Sequence, residues 1–183
     1  MFDAFKSRAG AVSAEVHRFP TKSAALDFIL TFLQGEGVAD APQSYALWAD
    51  SPFLNGLEKG QLSERVPGLK FEITRELAAE AKVGISQMDW AMANTGALVQ
   101  DSTQVEQRLV STLPAIHVAL LSTDRILPDL PTLLKKVLPE KSGYIAMITG
   151  PSRTSDIERV LTIGVHGPVR LIVAVVDELG EMN

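Results

Sequence analysis

The stretch Ile148–Pro168, "ITGPSRTSDIERVLTIGVHGP", places a Gly-Pro turn, a group of hydroxyls, two arginines, two carboxylates and a histidine between two apolar runs. The residues leading into it, "SGYIAMI", read as a buried strand, and those that follow, "VRLIVAVV", as another. Between them Ile157, Val160 and Leu161 recur at helical spacing, so the unit reads as strand, loop, helix, strand. Pro151 disfavours helix at Gly150, and Ser155 with Glu158 has the spacing of a capping box that starts one. At its end Gly164 suits a helix C-terminus, and Gly167 and Pro168 hold His166 in a turn before the next strand.

In an open α/β sheet, ligands lie beyond the carboxyl ends of the strands, beside helix N-termini. Gly150 to Ser155 would be such a place, with free N–H groups favouring an anion and Ser152, Arg153 and Thr154 adding donors. The same hydroxyls also serve as plain helix caps, with a solvated arginine beside them. A parallel strand–helix–strand unit would put His166 about one helix length, roughly 15 Å, from Ser152. That separation opposes a Ser/His/Asp triad within the motif, because nucleophile and base must be within hydrogen-bond reach.

Working outward, Phe2, Phe5, Ala9, Val12 and Val16 mark an amphipathic first helix that Pro20 stops. A second helix follows in "TKSAALDFILTFLQGEG", with Ala25, Phe28, Ile29 and Phe32 as its apolar stripe and Gly35 or Gly37 as its cap. "QSYALWA" reads as a buried strand, "SPFLNGL" as a turn or short helix, and "GLKFEI" as an alternating strand. Thr74 is an N-cap candidate for a helix that runs into the strand "KVGIS". "WAMANTGALVQD" suggests a strand pair or bent strand with Gly96 at the bend. A helix with Val105, Leu109 and Val110 inward then leads to "AIHVALLS", the apolar pattern of a strand covered on both faces. Leu133, Leu134, Val137 and Leu138 predict a further helix ending before Pro139. This rhythm predicts an α/β fold with a mainly parallel central sheet flanked by helices. A helical segment, residues 1–40, would pack on an α/β body, residues 41–183, as one globular domain.

Composition narrows the function. The 183 residues carry 17 Lys and Arg against 22 Asp and Glu, a net charge of -5 without any basic run, which argues against a nucleic-acid partner. The apolar fraction of 46% supplies a core, yet no stretch reaches the length of a membrane span, and the N-terminus lacks a signal-peptide core. A cytoplasmic location is the expectation. There is no cysteine, so this chain has no thiolate for a nucleophile, a zinc site or an iron–sulfur cluster. His17 reads as solvated and His117 as a core residue, and three scattered histidines do not suggest a metal site. Neither a dinucleotide fingerprint nor a P-loop occurs. Asp101, Asp124, Asp129 and Glu106 read as loop and surface residues.

Three stretches taken together are more specific: "DWAMANTGALV", "RLVSTLPAIHVALLSTDRILP" and "ITGPSRTSDIERVLTIGVHGP". They closely resemble the LUD-domain family, the LutC/YkgG group of lactate-utilization proteins, from about Val83 to Val176, with weaker similarity at "AEVHRF". The resemblance implies a fold like that of the NagB/RpiA/CoA-transferase superfamily. It also implies a part in converting L-lactate to pyruvate beside subunits that carry iron–sulfur clusters, with no cofactor on this chain. Arg108, His117, Arg125, Ser152, Arg153, Thr154, Asp156, Glu158 and His166 match the family motif. Where the family pattern usually reads Glu-Thr-Gly-Thr, this chain has Asn94, Thr95, Gly96 and Ala97, and an amide cannot act as a general base. The N-terminal region is also short for the family.

The expected function is therefore a non-redox component that binds a small anionic ligand, iron–sulfur partner subunits, or both. Its expected ligand-binding set is Asn94, Thr95, Gly96 and Arg108 on one side and Gly150, Ser152, Arg153, Thr154, Ser155 and Asp156 on the other. A transferase or isomerase acting on a phosphorylated or CoA-linked substrate is the enzymatic alternative, and a ligand-free assembly subunit is the third.

Overall fold

In the computed structural model, residues 1–137, 142–154, 162–164 and 166–179 are described. The chain runs α1 (Phe2–Ala11), β1 (Ala14–Thr21), α2 (Lys22–Gly35), β2 (Tyr45–Trp48), α3 (Lys59–Arg65), β3 (Leu69–Lys70), α4 (Arg75–Ala79) and β4 (Ala81–Gln87). It continues through β5 (Trp90–Met92), β6 (Ala97–Asp101), α5 (Val105–Thr112), β7 (Ile116–Ser122), β8 (Ile126–Leu127) and α6 (Leu130–Leu134). The last elements are β9 (Ile145–Ile148), β10 (Arg153–Thr154), β11 (Thr162–Ile163) and β12 (Arg170–Glu178).

The central sheet has six strands in the order β1-β12-β7-β4-β2-β3, all parallel, as the α/β rhythm predicts. Alternation within its strands divides the core in two. Val83, Ile85, Val118, Leu120, Ile172 and Ala174 face Ile29, Leu30 and Leu33 of α2. Ala119, Leu121, Leu171, Val173 and Val175 face the other way, onto Phe5 and Ala9 of α1 and onto Ala91 and Leu98 of a second sheet. Both faces of β7 are covered, which is why it is mostly apolar and every residue is buried, His117 included.

The second sheet, in the order β8-β5-β6-β9, has no counterpart in the reading of the sequence. Its β5–β6 hairpin does: Gly96, at φ +74°, turns the chain where the Thr-Gly pair predicts a bend. The local signal at Thr74 served well too, and Thr21 plays the same part without having been singled out. Thr21 and Thr74 accept from the main-chain N–H of Ala24 and Leu77, both at 3.2 Å, and so cap α2 and α4.

Ile148–Pro168 differs from its expected form. β9 is the antiparallel edge of the second sheet, with Leu98 opposite Ile148 and Asp101 opposite Ile145, and only β12 joins the central sheet. Arg153–Thr154, expected at a helix start, is a strand paired antiparallel with Thr162–Ile163. The expected helix and its capping residues Ser155 and Glu158 lie outside the described residues. A four-residue apolar run does not reveal which sheet it joins. As an edge strand, β9 is half-buried, with Met147 exposed, where a buried strand was expected.

The first helix also ends sooner than expected. After Ala11 the chain turns through Ser13 at φ +71°, and Ala14–Thr21 forms β1 at the edge of the central sheet. Pro20 fits there because the unpaired side of an edge strand needs no N–H. Residues 1–40 thus contribute a strand to the main sheet as well as helices. The His17 ring, expected in solvent, packs 4.8 Å from that of Phe28. Val105 is exposed, not inward. α6 stops at Leu134, which is itself exposed, while Leu133 is buried; Leu138 and Pro139 lie outside the described residues.

Candidate functional site

Of the expected ligand-binding residues, all but Ser155 and Asp156 are among the described residues. Gly96 at the β5–β6 turn and Gly150 after β9 both back onto the end of α1. A Cβ on Gly96 would meet the main chain of Arg8 and Ala9, and one on Gly150 the carbonyl oxygen of Val12. The space expected to hold an anion between them is thus bordered by α1. Asn94 donates its N–H to Pro128 O at 3.2 Å, and Thr95 Oγ1 accepts from Ala97 N–H at 3.3 Å. Arg153 donates to Ser13 Oγ at 2.7 Å. Arg108 is tied down elsewhere, donating to Ser102 O at 2.6 Å with its guanidinium 5.0 Å from the centre of the Tyr144 ring. Thr154 lies in β10, and Ser155 and Asp156 are outside the described residues.

The structure also overturns the expected separation of Ser152 from the His166 turn. Ser152 donates its N–H to Pro168 O at 2.8 Å and accepts from Gly164 N–H at 2.9 Å. The loop from Gly150 to Ser152 therefore packs beside the entries to β1 and β12, at the amino edge of the parallel sheet. The expectation depended on β9 and β12 being parallel strands of one sheet, and they lie in different sheets. His166 is exposed, in a shallow hollow with Thr112, Leu113 and Val169.

The carboxyl edge of the sheet is rich in buried polar groups. Gln87, at the end of β4, accepts from Phe53 N–H at 2.9 Å through its side chain, and from Gln100 Nε2 at 2.9 Å through its carbonyl. Gln100 Nε2 also donates to Gln107 Oε1 at 3.0 Å, Ser102 Oγ donates to Gln100 Oε1 at 3.1 Å, and Gln107 Nε2 donates to Asp50 O at 3.0 Å. This neutral chain ties the two sheets and α5 together. On the adjoining strands, Ser86 Oγ and His117 Nε2 lie 2.9 Å apart. Both residues are fully buried, and burial pushes the imidazole down to about 4, so it is neutral at pH 7. His117 is a core residue as expected, although its Nδ1 has no partner.

Where the chain leaves β4 for β5, a cleft of about 280 Å³ opens between the second sheet and the end of α6. Asp89, Trp90, Val99, Lys136, Val137 and Ile145 line it, with Asp101 and Ser142 beside them. The β5–β6 pairing sets Trp90 opposite Val99, and Asp89 Oδ2 accepts from Asp101 N–H at 2.6 Å. Burial pushes the Asp89 carboxyl above its ordinary value, partly countered by that N–H. For Asp101, burial is outweighed by hydrogen bonds from Thr103 and Ser142, and its carboxyl is held below the usual range. Arg125 and Lys136 lie 4.6 and 5.3 Å from the Trp90 ring centre, and neither has an ion-pair partner among the described residues. Of these, Arg125 drew notice in the sequence as a motif match, Asp101 as a surface residue and Val137 as part of an apolar helical stripe. The usable signal was the hairpin itself, since pairing about Gly96 brings Asp89 and Asp101 together.

Among the described residues, no three His, Asp or Glu gather as metal ligands. No helix among them is long and apolar enough to cross a membrane.

An all-parallel sheet with a second, mixed sheet packed on one face and a small cleft near its carboxyl side places this chain in the α/β class. The chain belongs to the LUD-domain family, whose match extends over residues 2–176. It is 36% identical over 115 residues to a lactate utilization protein C of Exiguobacterium sp., an alignment covering 59% of this chain and 50% of that one. It is 31% identical over 107 residues to the uncharacterized protein YkgG of Escherichia coli, covering 55% of this chain and 46% of that one. The matches thus span about half the length of these relatives. In fold it resembles a crystal structure of a DUF162 family protein from Deinococcus radiodurans, with a TM-score of 0.63 at 16% identity over 96% of this chain and 95% of that one.

Proposed function

We propose that this chain is a non-redox component of a system that oxidises L-lactate to pyruvate, acting beside partner subunits that hold iron–sulfur clusters and binding a small anionic ligand. The observation that carries the reading is the similarity to proteins named lactate utilization protein C. Chemistry supports the division of labour. Converting a 2-hydroxy acid to a 2-oxo acid removes two electrons and two protons, and the electrons need an acceptor. With no cysteine and no dinucleotide fingerprint, this chain has neither thiolates for a cluster nor that means of holding a nicotinamide. The Ser86–His117 pair, sealed in the core, is not a site for the enzymatic alternative.

Deleting the gene and growing the cells on L-lactate or glucose tests the role. Growth on lactate should fail and return when this chain is supplied, with growth on glucose unaffected. Normal growth on lactate without it would contradict the assignment.

A further inference from the structure

We infer that the outer edge of β9 is where a second copy of this chain docks, with β9 pairing antiparallel to its own symmetry mate about Ala146. β9 has β6 on one side and, among the described residues, no strand on the other. One step before β9, Ser102 N–H donates to Tyr144 O at 2.8 Å, which marks a hydrogen-bonded position of the antiparallel ladder. Such positions alternate, so the main chain of Ala146 and Ile148 also faces β6, and the N–H and C=O groups of Ile145 and Met147 point outward. The other edges of the two large sheets are guarded against further pairing. β1 carries Pro20 and the charged Glu15 and Arg18, while β3 and β8 are each 2 residues long and β8 runs into Pro128. β9 has neither charge nor proline, and Met147 is 49% exposed.

The occupant is a second copy because this edge is complementary to itself. With Ala146 on a two-fold axis, Ile145 of each copy lies opposite Met147 of the other, and each such pair exchanges both of its main-chain hydrogen bonds. Ala146 then faces its own mate at a non-hydrogen-bonded position, where Cα atoms approach to about 4.5 Å and a methyl side chain fits. Ile145 packs with the apolar cluster of Val99 and Leu133, and Met147, two residues on, points to the same face of the sheet. An axis normal to the sheet keeps that face common to both copies, so Met147 of one covers Ile145 of the other. Charge agrees. A charged side chain on β9 would meet its like across the axis, and β9 has none, whereas a foreign strand chosen by opposite charge would find nothing there to select it. The four-stranded sheet thus continues from one copy into the next. A strand edge is a small contact, so the dimer is weak and depends on concentration. The inference is independent of the lactate role.

The test is sedimentation velocity of the purified chain from about 5 to about 500 µM, a range that brackets weak association. The mass should move from monomer towards dimer as concentration rises. Met147→Lys, an exposed change that puts a charge on the edge, should abolish the shift, and Val169→Lys, at an exposed apolar position before β12, should leave it intact. Because the chain has no cysteine, single cysteines map the contact. Ala146→Cys should give a disulfide-linked dimer under mild oxidation, since residues facing each other at that position lie within disulfide range, and Val169→Cys should stay monomeric. Circular dichroism checks that each variant is folded, and if Met147→Lys is not, the cross-link decides. A chain that stays monomeric throughout would leave the edge to another protein's strand and overturn the assignment. A dimer that survives Met147→Lys, or cross-linking at 169 as readily as at 146, would overturn it too.

Discussion

His117 is neutral because burial disfavours its charged form, and the Ser86 hydroxyl satisfies only one of its nitrogens. In the unfolded chain the imidazole titrates near its ordinary value of 6.5, and in the fold at about 4. As pH falls from about 6.5 to about 4, the unfolded chain gains a proton that the native one refuses, and stability drops by on the order of 3 kcal/mol. Urea unfolding between about pH 7 and pH 5 should show this slope, and His117→Leu should flatten it. An equal slope in both proteins would mean that other groups carry the acid sensitivity. Gly96 makes a second prediction, because Gly96→Ala forces a side chain into positive φ against the α1 main chain. Backbone strain alone should cost about 1–3 kcal/mol, read as a lower urea midpoint. The turn at Gly96 was legible from Thr-Gly between apolar runs; the helix against it was not, since that contact joins residues far apart in the chain.

Among the elements, α1 shows how a short amphipathic pattern becomes structural. Phe5 and Ala9 are fully buried between the central sheet and the second one. Phe5→Ala should destabilise the protein by about 3–5 kcal/mol and loosen the second sheet first, seen as faster hydrogen exchange at Ala91 and Leu98. Uniform loosening throughout the chain would show that α1 is not a local brace. A helix start was legible where one side chain decides it, as at Thr74. The α1–β1 boundary was not, because Val12 and Val16 fit a helical spacing while Ala14 and Val16 equally fit a strand. The same ambiguity hid the partner of β9: apolar composition marks a strand, and only tertiary pairing assigns it to the second sheet.

At the scale of the whole molecule, two sheets meet at a neutral amide chain, and the cleft opens where the chain passes from one to the other. The parallel sheet was legible from the alternation of helices and buried strands. The cleft was not, because Asp89, Trp90 and Lys136 converge only after the second sheet forms.

The proposed role within a lactate-oxidising system is most directly tested by reconstitution, measuring lactate-dependent dye reduction by this chain alone, by the proposed iron–sulfur partner subunits in purified form, and by the mixture. Activity should be absent with the chain alone and require it in the mixture. Lactate oxidation by the chain alone, or full activity from the partners without it, would contradict the account.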